Sequence, residues 1–180
     1  MSAVFESSRF DTHATSRGKS LARAKWVVVT VVLGLFAFLT SVNGPLGPAV
    51  FGWHPAASVA PPVGIQLPLF MLLGLMEALA FGFGVAFLLF GYPWMRAAGP
   101  APTPLARLAH LSIAWVLINW WSHDSLHIAN GLELGGLLAI EYAYHVTLMT
   151  AGVIAAAWFV AVLREQRLGT PTPRGRAAGQ

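Results

Sequence analysis

The chain alternates between long apolar runs and short polar breaks rich in proline and glycine. WVVVTVVLGLFAFLTSV, residues 26–42, ends at NGPLGP, whose turn residues stop a helix. Apolar sequence resumes over about residues 66–92, 104–129 and 134–163. About 17–25 residues of α-helix suffice to cross a hydrocarbon core, and each run is that long or longer. The pattern predicts an all-α, polytopic membrane protein built as a bundle of four transmembrane helices.

The breaks set the connections. Residues 43–65 form a Pro/Gly-rich loop, and YPWMRAAGPAPTP between the second and third runs carries prolines that no continuous helix accommodates. Only NGLE separates the third run from the fourth, which makes those two helices a tight antiparallel hairpin. The polar flanks, residues 1–25 and 164–180, read as disordered cytoplasmic tails around a transmembrane domain of residues 26–163.

Charge then orients the bundle. Of the 11 Lys and Arg residues, five precede the first run, Arg96 and Arg107 flank the second break, and four follow the last run. The other two loops carry none, so both termini belong on the cytoplasmic side of the cell membrane. The net charge of +4 thus reports topology rather than nucleic-acid binding. The absence of cysteine excludes disulfides and thiolate metal sites.

Against this apolar background a few polar side chains stand out. His123 and His127 in WWSHDSLHIANG share one helix face, Asn119 extends that face downward, and Asp124 lies between the histidines. Glu141 and His145 share a face of the fourth helix in the same way, and Glu77 sits within the second among Gly74, Ala78, Gly82 and Gly84. At about 1.5 Å per residue from the outer ends, His123 falls level with Glu141, and Asn119 falls level with His145 and Glu77. Taken singly, each has an ordinary role: a histidine solvated at a helix end, a neutral buried carboxyl, or a neutralising pair within the membrane. Together they form a ligand set of His123, His127, Glu141 and His145, with Glu77 and Asp124 as further carboxylates in or behind the coordination sphere. Imidazole and carboxylate donors suit iron, copper or zinc. His54 in the outer loop could cap such a site, whereas His110 points elsewhere on the third helix and His13 carries no signal.

HDSLH, residues 123–127, resembles the HDxxH first histidine box of membrane di-iron carotenoid ketolases and their hydroxylase relatives. The likeness covers these five residues, and the further boxes of those families have no counterpart among the remaining, single histidines. The resemblance implies that an HxxxH helix end beside a bilayer can hold iron for chemistry on an apolar substrate.

The expectation is therefore a metal-dependent membrane oxidoreductase acting on an apolar or lipid-like molecule, with membrane lipid as its surroundings. The alternatives are a non-catalytic subunit or assembly factor of a larger membrane complex, and a b-type haem protein. Haem ranks lower because His123 and His145 count out about one turn apart in depth, and bis-histidine ligation needs equal height. Proton or ion conduction ranks lowest, because the inner halves of the spans offer no continuous line of acids.

Overall fold

The computed structural model describes residues 4–99 and 102–168, with side chains from Ser20 onward. Its regular elements are helical: α1 (Val4–Thr40), short α2 (Gly47–Phe51), α3 (Gln66–Phe90), short α4 (Tyr92–Ala97) and α5 (Thr103–Asn130), followed by one last long helix. That helix begins as α6 (Leu134–Ile140), widens into a π-helical segment at Glu141–Val146, and continues as α7 (Thr147–Leu168). The long helices pack in sequence order, α1 on α3, α3 on α5, and α5 on α6 and α7.

Three helical stretches, Ser20–Thr40, Gln66–Phe90 and Leu134–Leu168, are long and apolar enough to cross a membrane. α5 matches them in length but is not among them, because the polar residues of its C-terminal turns make it less apolar. Helix also runs through most of the segment expected as an N-terminal tail, because α1 begins at Val4. Its Ala, Arg, Lys and Leu residues are good helix formers with no proline among them. Of the expected C-terminal tail, residues 164–168 complete α7, and residues 169–180 lie outside the described residues. The break after α3 is not wholly loop either: Pro93 sits in the first turn of α4, where its missing N–H costs nothing.

Small residues hold the bundle together. Ala37, Ala78, Ala86, Ala106, Ala109 and Ala114 are buried, whereas Val28, Val32, Leu72, Leu89, Met149 and Val153 point outward. In water such an apolar exterior would drive aggregation; facing lipid it needs no cover, and close backbone approach supplies the packing instead. A Cβ on Gly82 would collide with the Thr30 carbonyl oxygen of α1, and one on Gly84 would lie 2.8 Å from side-chain atoms of Leu117 and Ile118 on α5.

Aromatic groups gather at the two ends. Trp26 stacks on Trp94 with centroids 4.5 Å apart, and Lys25 lies over the Phe90 ring. At the other end Phe51, Trp53 and Phe81 surround Trp121. The long connection between α2 and α3 is tied down at this same end. The Ala56 N–H donates to the Ile128 carbonyl at 3.0 Å, and Ser58 Oγ accepts from the Leu132 N–H. Gly131, at φ +60°, makes the turn out of α5 beneath Ser58, where both the backbone angle and the space exclude a side chain.

Candidate metal centre

The α5–α6 turn is short because both of its ends are capped. The Glu133 carboxylate accepts from the Gly135 and Gly136 N–H groups at the start of α6, and the Gly131 N–H closes α5 onto the His127 carbonyl. Those two amide bonds hold the exposed Glu133 carboxyl below the usual carboxylate range. The turn fixes the C-terminal part of α5 against α6 and the π-helical segment. His123 and His127 come from the first wall, Glu141 and His145 from the second.

The nearest approach joins His123 and His145, whose Nε2 atoms are 3.0 Å apart. His127 completes the group: one ring nitrogen from each of the three histidines lies within 4.8 Å of the others. His123 is buried, and its ring meets those of His127 and His145 at centroid distances of 4.6 and 4.8 Å.

The carboxylates stand behind the imidazoles rather than among the converging atoms. Glu141 Oε2 hydrogen-bonds His145 Nδ1, the ring nitrogen turned away from His123. Asp124 Oδ1 lies 3.8 Å from His123 Nδ1, and Asp124 in turn neighbours Glu77 on α3. A carboxylate behind the far nitrogen of an imidazole fixes the ring and its tautomer, the arrangement that supports metal-ligating histidines.

The level-by-level pairing drawn from the sequence is therefore off by a turn. His123 meets His145, not Glu141. Helical side chains lean toward their own N-termini, and in an antiparallel pair those directions are opposed. The ring of His123 leans away from the turn and that of His145 leans toward it, which closes the offset. The π-helical segment, which widens the backbone between Glu141 and Val146, adds to the shift; such segments gather at functional sites.

Other residues fall into place around this group. The Tyr144 ring lies 5.4 Å from that of His123, and its hydroxyl donates to Ser122 Oγ at 3.2 Å. Neither the π segment nor Tyr144 stood out in the sequence, although an aromatic residue beside His145 was the available signal. Asn119 is fully buried one turn below His123, with Nδ2 donating to the Trp115 carbonyl and Oδ1 without a partner. His110 is buried against the α3 end, its Nε2 2.9 Å from the Phe87 carbonyl oxygen, and is structural. His54 is exposed on the connection between α2 and α3 and is not in the histidine group. The side chain of His13 lies outside the described residues.

The fold and this group define, among the described residues, an all-helical protein with three helices long and apolar enough to cross a membrane and a histidine cluster close enough to bind a metal ion. Compared with protein-family models, curated proteins and solved structures, the chain matches none.

Proposed function

We propose that the protein is a four-span membrane protein with both termini cytoplasmic. In this reading it holds one transition-metal ion on His123, His127 and His145 near the extracytoplasmic ends of α5 and α6. Glu141 and Asp124 orient two of the imidazoles, and Glu77 secures Asp124 from α3. Three protein ligands leave a coordination position open, the hallmark of a catalytic rather than a structural site. An all-imidazole set without thiolate suits iron or copper acting as an oxidant, and it also accepts zinc. Placed among apolar helices, such an ion would act on an apolar or lipid-like substrate. Three small rings converging on one point fit a single ion better than a porphyrin, which needs a flat slot between two separated imidazoles.

One observation carries this reading. If both rings are neutral and His145 Nδ1–H donates to Glu141, His145 Nε2 is an acceptor and the 3.0 Å contact makes His123 Nε2 the donor. His123 Nδ1 is then a bare lone pair, buried without a hydrogen-bond partner and nearest to an acidic oxygen. A cation between the two Nε2 atoms removes the conflict. Both Nε2 lone pairs turn to the ion, the His123 proton resides on Nδ1, and that proton faces Asp124.

The test is elemental analysis of the purified protein beside His123→Ala and His145→Ala variants. Stoichiometric iron, copper or zinc in the parent and its loss in both variants support the site. Metal-free parent protein that stays folded and purifies with fixed partners refutes it in favour of a non-catalytic subunit.

A further inference from the structure

An open groove of about 450 Å³ lies where α5 meets α6 and the π segment. Leu126, Ala129 and Asn130 of α5 form one wall, and Gly136, Ala139, Ala143 and Tyr144 line the other. At Gly136 the Asn130 amide takes the place a Cβ would fill; deeper, the gap exists because Ala139 and Ala143 leave the facing helix surface bare. Counted at about 1.5 Å per residue from Leu134, the wall descends about 13 Å to Ala143, from the interface into hydrocarbon depth.

Water is a poor occupant, because it needs two to four polar partners. The Tyr144 hydroxyl is already bonded to Ser122, and below Asn130, whose amide lines the end nearest the turn, the other wall side chains are apolar. An empty gap forfeits packing along its whole lining. A hydrocarbon chain satisfies both constraints. The wall residue Tyr144 is also the residue whose ring lies 5.4 Å from that of His123, so groove and histidine cluster share a side chain.

We infer that a fatty-acyl chain of an outer-leaflet lipid occupies this groove, packed against Tyr144, and that acyl lipids are the substrate class of the proposed site. The inference rests on the membrane and metal reading above. It is tested with the purified full chain in phosphatidylcholine vesicles containing palmitate with a mid-chain diazirine, photolysed and mapped by peptide mass spectrometry. Adducts are expected to concentrate on residues 126–144 over Met149 and Val153, which are 65% and 69% exposed on the same helix. Excess unlabelled palmitate should suppress the groove adducts but not those at Met149 and Val153. In Ala143→Trp, groove labelling should fall about tenfold, because an indole fills the gap, while metal content is retained. If that variant misfolds, Ala139→Leu serves in its place. Labelling no denser in the groove than at Met149 and Val153, or not suppressed by competitor, overturns the inference. Groove labelling in a metal-free parent would sink the metal reading and leave the acyl chain standing as a bound lipid.

Discussion

His123 and His145, 22 positions apart in sequence on two antiparallel helices, meet with their Nε2 atoms 3.0 Å apart and a carboxylate near each Nδ1. Each ring is thereby aimed at the other, and His127 closes the group from one turn above His123.

Removing any of the three imidazoles should abolish stoichiometric metal. His123→Ala, His127→Ala and His145→Ala are each expected to lose more than the roughly 10–100-fold in affinity typical of an outer-shell partner. His54→Ala should bind as the parent does. His110→Ala should keep its metal but lose about 1–3 kcal/mol of stability, through the broken contact with the Phe87 carbonyl and the vacated ring volume. Metal titration and thermal unfolding in detergent separate the two kinds of effect.

Glu141→Gln keeps the size of the side chain but weakens the acceptor behind His145 Nδ1. Metal affinity should fall about 10–100-fold with the stoichiometry unchanged at saturating metal. An unchanged affinity would show that Glu141 plays no part in orienting His145.

Reporter fusions test the topology, including the passage of α5 across the membrane. Alkaline phosphatase joined after residue 60 or after residue 132 should be active, and joined after residue 99 it should be inactive. Inactivity at residue 132 would mean that α5 does not cross, and activity at residue 99 that α3 does not cross or that the bundle is inverted.

Two glycines of α3 should respond in opposite ways to alanine. Gly82→Ala drives a Cβ into the Thr30 carbonyl oxygen and should cost about 1–3 kcal/mol. Gly74 has open space where its Cβ would stand, so Gly74→Ala should gain about 0.5–1 kcal/mol from helix propensity alone. Paired unfolding curves in one detergent decide both.

The Glu133 cap predicts a pH dependence of defined sign. Its carboxyl is held below the usual range when folded, so its contribution is complete above the ordinary glutamate range and fades as pH falls through the lowered value. The difference in melting temperature between parent and Glu133→Ala, both metal-free, should be flat near neutrality and shrink in acid. A difference that grows on acidification would contradict the cap.

The sequence by itself determined the helices that make the bundle. Apolar run lengths, the NGPLGP stop and the NGLE turn are local signals, and α3, α5 and α6 begin within about a residue of where those signals place them. It also determined the stripe of Asn119, His123 and His127, because a four-residue spacing sets one face of any helix. Of the small residues Gly74, Ala78, Gly82 and Gly84 singled out in α3, the last three are buried, whereas Gly74 has open space where a Cβ would stand. Only the tertiary structure decided which groups that stripe meets. Pairing across a hairpin depends on the lean of side chains toward opposite N-termini and on a π-helical widening that EYAYHV does not announce. Those two effects bring His145 to His123, turn Glu141 from a facing group into the support behind His145, and set Tyr144 between the histidines and the groove. Residue counting follows the backbone axis, whereas contact is made by side-chain tips several ångströms away from it.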